Sequence, residues 1–401
     1  MKRFFFTVIA LAAVAVSCTK SGLLESPHTY ESPISFEPYT GKAPVTKATI
    51  ETSETIKSGF RVLGFVEGTE NAITSTSPYL HKFVRFGDHD GDKGTAQTPT
   101  PDTWFYSGAM YWPEGKELTF VAYGLNVNGT PAEAKGTNDA YLEGDAAGVT
   151  GQGVKFAQAA NDYTSYTYTV GATAADHKDL VISPALRNCK SSDPSGDGPA
   201  ATTNGDKVVN IRLYHVLSRI GFKLAVDNDY VVKDGESTTP GYSNRAITIN
   251  NVSLTGNFIS TGEFNLTSAV SISGETITYG EVQGTPATTT YSLFSGNQSF
   301  TYTPNGAETS AHNITHDGEN RYMMIIPGDP GNDAKVIVSY QIAGGAPTEV
   351  SLPLKDASGN TIEFEAGKAY EFVFTVSNVA VGFNVDVLPW GTATDIPNNV
   401  N

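Results

Sequence analysis

The sequence contains few charged residues, few cysteines and no dense run of basic side chains beyond residue 3. Only 17% of its 401 residues are charged, and 42 acidic against 26 basic side chains give a net charge of −16. Nucleic-acid-binding proteins concentrate Lys and Arg to neutralise phosphates, so we expect no nucleic-acid partner. The cysteines are Cys18 and Cys189 alone, too few for the disulfide framework that holds small secreted domains together.

Helical periodicity is scarce after the first 18 residues, whereas turn-forming and aromatic residues are abundant. The chain has 40 Gly, 21 Pro, 20 Phe and 19 Tyr, which is too apolar and aromatic for general disorder and too rich in turns for a helical bundle. Large apolar side chains alternate in segments such as 220–226 and 370–376, as in strands with one face in a core. The sequence therefore predicts an all-β protein.

Similar short apolar runs predict further strands, and the turns between them indicate how the chain is divided. The alternation of Tyr and Thr over 163–170 predicts an exposed or edge strand. The turn-rich stretch 190–206 is interpreted as a long loop or an interdomain linker. Two antiparallel β-sandwich domains, 48–206 and 207–401, are the simplest way to bury one-sided strands. The other predicted strands are 60–66, 118–123, 179–182, 208–213, 246–254, 322–326, 335–342 and 383–388.

The first residues predict an export signal, with 1–17 as the signal peptide. The basic pair Lys2-Arg3 precedes an apolar run, 4–16, which is shorter than the roughly 20 residues that span a bilayer but typical of a signal peptide. The next residues, Ala-Val-Ser and then Cys18, resemble a bacterial lipoprotein lipobox. The resemblance implies a covalent lipid on Cys18 and a place at the outer membrane or cell surface. The alternative is an ordinary secretory peptide cut near residue 17, with Cys18 a free thiol.

A series of short motifs runs in a consistent order along almost the whole chain. These motifs are Ile34-Ser-Phe36, Val45-Thr-Lys47-Ala48, Trp104-Phe-Tyr106, Tyr111-Trp112-Pro113, Leu118-Thr-Phe120-Val-Ala122-Tyr123, Asp179-Leu-Val181, Leu213-Tyr-His215-Val-Leu217-Ser218-Arg219-Ile220, Ala366-Gly367-Lys368 followed by Tyr370, and Pro389-Trp390. Together they resemble the fimbrillin-like lipoprotein family, the subunits of type V pili and related surface lipoproteins. The resemblance implies two transthyretin-like β-sandwich domains in tandem and a non-enzymatic, adhesion-related role in a fimbria on the cell surface.

The resemblance also implies assembly by strand exchange with like or related pilus subunits. In family members that build pilus shafts, a trypsin-like protease cuts after the first strand, and a strand of a neighbouring subunit fills the groove that is left. Here Ile34 and Phe36 would belong to the removable first strand. Lys47 is the expected cut site, with Lys42 as the alternative, and a mature subunit cut at Lys47 would begin at Ala48.

The C-terminal tail is the segment expected to replace the propeptide, residues 18–47, of a neighbour. If the last sandwich closes with 383–390, residues 391–401 remain to donate a strand. Pro397 interrupts this tail and lacks the N–H that a ladder needs, so a tip or accessory subunit and a non-polymerising surface lipoprotein stay open as alternatives. The possible donor residues are Gly391, Thr392, Ala393, Thr394, Ile396 and Val400.

The sequence offers few candidates for chemistry. Asp88, Asp90 and Asp92 alternate as the carboxylates of calcium loops do. Lys93 and Pro99 stand where an EF-hand needs Gly and Glu, so a solvated acidic turn is the preferred interpretation and calcium a side hypothesis. No nucleophile elbow, phosphate loop, zinc-protease or dinucleotide motif occurs in the sequence. We therefore expect no enzyme, and no cofactor beyond the covalent lipid.

Three tryptophans, Trp104, Trp112 and Trp390, could form stacking platforms for sugars, although their positions beside strands favour core packing. A surface lipoprotein that binds glycans is therefore the alternative function, and an envelope hydrolase of undefined chemistry ranks third. His215, in an apolar segment, is expected to be a hydrogen-bonded core histidine. Cys189 is expected to be a lone, partly buried thiol.

Overall fold

A computed structural model of the protein describes residues 33–39, 60–67, 78–87, 103–106, 109–125, 155–159, 162–171, 177, 179–197, 208–226, 245–273, 276–302, 312–314, 322–342, 344–356, 358–376 and 381–389. Over these ranges the regular secondary structure is β-strand alone, so the predicted all-β class is confirmed. Among the same residues no helix has the length and apolar character needed to cross a membrane.

The strands recur where alternating apolar residues predicted them, and two have the predicted bounds, 60–66 and 335–342. Residues up to 215 contribute β1 (Ser35–Tyr39), β2 (Phe60–Val66), β3 (Leu80–Gly87), β4 (Thr103–Phe105), β5 (Leu118–Leu125), β6 (Lys155–Ala159), β7 (Asp162–Thr169), β8 (Leu180–Ile182), β9 (Leu186–Cys189), β10 (Val208–Arg212) and β11 (Tyr214–His215). Later residues contribute β12 (Ser218–Val226), β13 (Arg245–Phe258), β14 (Thr261–Asn265), β15 (Val270–Ser273), β16 (Thr276–Tyr279), β17 (Gln283–Gly284), β18 (Ala287–Tyr302), β19 (His312–Asn313), β20 (Met323–Ile325), β21 (Lys335–Ile342), β22 (Thr348–Pro353), β23 (Lys368–Val376) and β24 (Val381–Pro389).

A seven-stranded sheet forms the middle layer of the N-terminal half. Its strands lie in the order β11-β8-β5-β2-β3-β4, and β9 also pairs with β5. Because successive side chains of a strand point to opposite faces, Phe60 and Val62 face one layer while Leu63 and Phe65 face the other, and all four are buried. Coverage on both faces explains why β2 is almost continuously apolar.

Strands β1 and β10 cover the first face of this sheet. They pair in parallel, from Ser35 opposite Val208 to Tyr39 opposite Arg212. The apolar side chains of the pair belong to the core cluster that also contains Phe60 and Val62 of the middle sheet. The first described strand of the chain is thus part of the N-terminal sandwich.

Strand β7 covers the second face with two buried tyrosines, Tyr166 and Tyr168. The ring centroid of Tyr166 lies 4.9 Å from that of Tyr123 in β5. Strand β7 is also paired on both sides, in a sheet of order β17-β14-β7-β6. The prediction of an exposed or edge strand at 163–170 is therefore wrong, because alternating Tyr and Thr also suits a strand whose aromatic face is covered by another layer.

Two sheets make up most of the C-terminal half. One has the order β19-β12-β23-β24, with β20 also paired to β12, and the other has the order β18-β13-β21-β22. Strands β12 and β23 run parallel, and the Phe222 ring stacks on Phe372 and Phe374 at 5.2 Å and 5.7 Å. Side chains of both sheets share one core cluster, as the expected sandwich packing requires.

Strand pairing crosses the expected domain boundary between residues 206 and 207. Strands β10 and β11 follow that position, yet they pair with β1 and β8 of the N-terminal half. Strand β14 pairs with β7 in the same way. The division into 48–206 and 207–401, like the transthyretin-like topology, stays a prediction, and the signal peptide 1–17 lies outside the described residues.

Candidate functional site

The first strand lies between hydrogen-bonding partners on both of its edges. On one edge, β1 forms its parallel ladder with β10. On the other edge, the backbone N–H of Ile34 donates to the carbonyl of Met110 at 2.8 Å, and Pro33 forms an isolated bridge with Tyr111. We call the residues that surround this strand, Tyr106, 110–112, Phe120, Val209 and Ile211, the first-strand slot.

Ile34 and Phe36 fill the apolar part of the first-strand slot. Ile34, which directly precedes β1, is 2% exposed, and Phe36 is 3% exposed. The Phe36 ring packs edge-on against Phe120 with centroids 5.4 Å apart, while Ser35 between the two apolar residues is exposed. Burial of such side chains contributes about 1.5–3 kcal/mol each, so apolar packing holds the segment in place in addition to its backbone bonds.

The side chain of Tyr106 hydrogen-bonds to the first-strand segment on the edge opposite β10. Its hydroxyl donates to the carbonyl of Ile34 at 2.6 Å and accepts from the backbone N–H of Met110 at 3.3 Å. Burial raises the pKa of Tyr106 above its usual value, because a phenolate would lose its hydration. The phenol therefore keeps the proton that it donates to the first strand.

The tryptophan motifs build the wall of the first-strand slot. Trp112 is 2% exposed and packs edge-on against Phe120, and Trp104 packs against Phe60 with centroids 5.6 Å apart. Core packing is thus confirmed for Trp112, while Trp104 is half-buried and packs against the same core cluster. Trp390 lies outside the described residues.

Comparison with known proteins identifies the chain. The model of the fimbrillin-like family matches residues 46–390. The chain belongs to the fimbrillin-like family. This membership places it among the proteins of cell-surface fimbriae, and it confirms the resemblance that the motifs carried.

Several solved structures are similar to this chain at low sequence identity. A fimbrial protein from Bacteroides vulgatus is 16% identical, with 89% of this chain and 99% of that chain covered and a TM-score of 0.51. A fimbrial assembly protein from Parabacteroides distasonis is 13% identical, with 89% and 98% covered and a TM-score of 0.38. The tip fimbrial protein Mfa3 from Porphyromonas gingivalis, with a C-terminal truncation, is 10% identical, with 83% and 94% covered and a TM-score of 0.32. Comparison with curated proteins gave no match.

Hydrogen bonds join other motifs of this fimbrillin-like chain to each other outside the first-strand slot. His215 Nδ1 donates to the buried carboxylate of Asp179 at 2.9 Å, which confirms a hydrogen-bonded histidine. The backbone N–H of Gly367 donates to the carbonyl of Leu217 at 3.0 Å. Gly367 has a φ of +68°, and a Cβ there would lie 2.3 Å from the Tyr279 hydroxyl, so this turn requires glycine.

A buried charge pair joins the two parallel strands beside that turn. Arg219 of β12 lies 3.5 Å from the Glu371 carboxylate of β23, and Lys223 lies 3.8 Å from its other oxygen. Arg219 and Glu371 are each 2% exposed. Removal of Glu371 would leave the buried charge of Arg219 without this partner, at a cost of about 3–5 kcal/mol, so the pair couples β12 to β23.

Cys189 is a free, buried thiol. Burial, reinforced by the nearby Glu67 carboxylate, raises the pKa of Cys189 well above its usual range. Reactive cysteines have the opposite shift, so Cys189 is a packing residue. Among the described residues, no group of three His, Cys, Asp or Glu side chains could hold a metal ion.

The remaining predicted site residues lie outside the described residues. They are Cys18, Lys47, Ala48, the calcium candidates Asp88, Asp90 and Asp92, and the possible donor residues Gly391, Thr392, Ala393, Thr394, Ile396 and Val400. Sequence reasoning selected Ile34 and Phe36 but missed the roles of Tyr106 and Met110. The only signal for Tyr106 was its place in the tryptophan motif.

Proposed function

We propose that this fimbrillin-like protein is a structural subunit of a cell-surface fimbria, in a shaft, tip or accessory position, and that it assembles by strand exchange after proteolysis. The observation that carries the proposal is the burial of Ile34 and Phe36 in a paired strand. A protease that cuts at Lys47, or at Lys42, would leave this strand held by non-covalent contacts alone. The segment would then become exchangeable while the rest of the sandwich keeps its covalent continuity.

The surroundings of the strand explain why a replacement would bind. Departure of β1 would strip hydrogen-bonding partners from β10 and from Met110 and would expose the apolar pockets of Ile34 and Phe36. A buried polar group without a partner costs about 1–3 kcal/mol, and an open strand edge is a template for another strand. A strand of a like or related subunit would restore both kinds of contact.

The family match supports the same division of the chain. The family model begins at residue 46, so it includes the slot residues but not Ile34 or Phe36. A region shared by the family would thus supply the acceptor, while the segment ahead of it would supply a temporary occupant. Assembly through the slot requires no catalytic group, and we propose that the protein is not an enzyme and carries no cofactor.

A lipid on Cys18 would give the cut at Lys47 a second consequence. The lipid would hold the uncut subunit at the outer membrane. Cleavage would separate the sandwich from its anchor in the same step that frees the first strand. Release from the membrane and competence for assembly would then be coupled, as suits a subunit of an adhesive fibre.

Treatment of the purified full-length chain with trypsin tests the proposal. In the presence of a related fimbrial subunit, we expect loss of the fragment that contains Ile34 and Phe36, followed by oligomers of the two proteins on size-exclusion chromatography. The matched control replaces Lys42, Lys47 and Lys57 by Gln, and it should keep the fragment and stay monomeric under the same treatment. Oligomers from the control, or loss of the fragment from the wild type without any assembly, would contradict strand exchange.

A further inference from the structure

We propose that Tyr106 and Met110 hold a strand in the first-strand slot by hydrogen bonds to its backbone, and that they select the strand that can occupy the slot. We call Tyr106 and Met110 the latch. The proposal rests on the strand exchange proposed above and names the residues that control it. It also defines the occupant, an extended segment of another fimbrial subunit with a large aliphatic residue and an aromatic residue two positions later.

The latch binds both backbone groups of one residue. Met110 accepts the N–H of Ile34 at 2.8 Å, and the Tyr106 hydroxyl donates to the carbonyl of Ile34 at 2.6 Å. The hydroxyl has one proton, and the Met110 carbonyl lies farther from it, at 3.5 Å, so the proton points at Ile34. Since the same hydroxyl accepts from the Met110 N–H at 3.3 Å, the three groups polarise one another.

The same tyrosine also contacts the side chain two residues further along the strand. The Tyr106 ring centroid lies 5.8 Å from that of Phe36, and the Phe36 ring also packs edge-on against Phe120. Residues i and i+2 of a strand share one face. Tyr106 therefore contacts the backbone at one position and an aromatic ring at the next position of the same face.

These contacts define which segments fit. The residue at the Ile34 position must have an N–H for Met110, which excludes proline, and its side chain must fill an aliphatic pocket. The residue two positions later must present an aromatic ring to Tyr106 and Phe120. Residues 391–401 contain no aromatic residue, so that stretch of a second copy does not meet the requirement, and we assign the slot to a different subunit that does.

Hydrogen exchange of the uncut chain tests the latch without any need for assembly. Tyr106→Phe keeps the ring beside Phe36 and removes only the hydroxyl. We expect the Ile34 amide to exchange about fivefold faster in this variant, since a hydrogen bond of this kind contributes about 1 kcal/mol. Tyr340→Phe, in β21 and outside the first-strand slot, removes the same kind of hydroxyl and should leave the rate within about twofold. Equal rates for wild type and Tyr106→Phe would overturn the latch and leave strand exchange untouched.

Peptide uptake by the trypsin-cut chain tests the selectivity. A synthetic peptide with residues 33–40 of this sequence should replace the cleaved fragment. The same peptide with proline at the Ile34 position, with alanine at the Phe36 position, or with the sequence of residues 391–401 should bind at least tenfold more weakly. Equal binding of all peptides would overturn the assigned selectivity, whereas failure of every peptide to enter a slot that has lost its fragment would contradict the proposed function itself.

Discussion

At the scale of single residues, His81 of β3 is held in its neutral form by its surroundings. Burial, and then the positive charges of Arg61 and Lys82, lower the pKa of His81 to about 4. An unfolded histidine has a pKa of about 6.5. Between these values the unfolded chain binds a proton that the folded chain does not, so His81 removes stability as the pH falls from 6.5 towards 4.

Replacement of this histidine should flatten the pH dependence of stability. At pH 4.5, the difference in pKa corresponds to about 2–3 kcal/mol of lost stability, and this loss is absent near pH 7.5. His81→Gln cannot take up the proton, so its free energy of unfolding should fall by about 2–3 kcal/mol less than that of the wild type between these pH values. Urea unfolding at both pH values measures this. An identical loss in the two proteins would show that His81 is not the group responsible.

Among single residues, the strand at Ile34 and Phe36 could be predicted from the sequence, but the hydrogen bond of Tyr106 could not. The motif Ile34-Ser-Phe36 predicted the first strand through its resemblance to the fimbrillin-like family. Its period-two spacing is a local property that agrees with the one-sided burial observed. The bond from the Tyr106 hydroxyl to the Ile34 carbonyl joins residues 72 positions apart. No local pattern encodes such a bond, since any exposed backbone carbonyl can accept one, and only the packed sheets bring these two groups together.

At the scale of elements, Phe36 is the buried aromatic side chain by which β1 packs into the first-strand slot. Phe36→Ala would remove the contacts with Phe120 and Tyr106 and leave a cavity in the N-terminal core. Truncation of a buried Phe costs about 3–5 kcal/mol. We expect a loss of that size in the free energy of unfolding of the uncut chain, measured by denaturant titration. Ser35→Ala, on the exposed face of the same strand, is the matched control and should stay within about 0.5 kcal/mol. A small loss for Phe36→Ala would mean that the strand is not anchored by its ring.

Element by element, the strands were more predictable than their places in the sheets. The strands β2 and β21 were predicted residue for residue, because their apolar runs are bounded by polar or turn-forming residues. Strand β7 was given the wrong environment, since its Tyr and Thr residues fit either a solvent-facing or a covered sheet. Whether a strand lies at the edge or inside a sheet depends on partners such as β14, where Thr261 is 92 residues further along the chain than its partner Thr169.

At the scale of the whole molecule, the two halves of the chain pair strands with each other and share one core. The first strand precedes all the other described strands, so a cut after it would leave the rest of the chain covalently continuous. Strands β10 and β14 come from the later part of the sequence and pair with strands of the earlier part. One core cluster contains residues of both, from Leu63 to Phe374. The proposed cut at Lys47 would therefore separate one N-terminal segment from an otherwise continuous chain.

This arrangement suits a fimbrial subunit that is exported with its slot occupied. An empty slot would expose apolar pockets and an open strand edge, a combination that promotes aggregation. In the proposed assembly, occupation by the chain's own first strand would protect the subunit until a protease cuts. The buried Ile34–Phe36 segment is the observation that supports this part of the proposal.

Mass spectrometry of subunits taken from assembled fibres is the most direct test of the removable first strand. The expected result is a polypeptide that begins at Ala48, together with a stretch from a different subunit protected at the slot and none of the original residues 18–47. Fibres whose subunits retain an intact segment from Cys18 through Lys47 would contradict it, because a strand that never leaves its slot cannot make way for a neighbour.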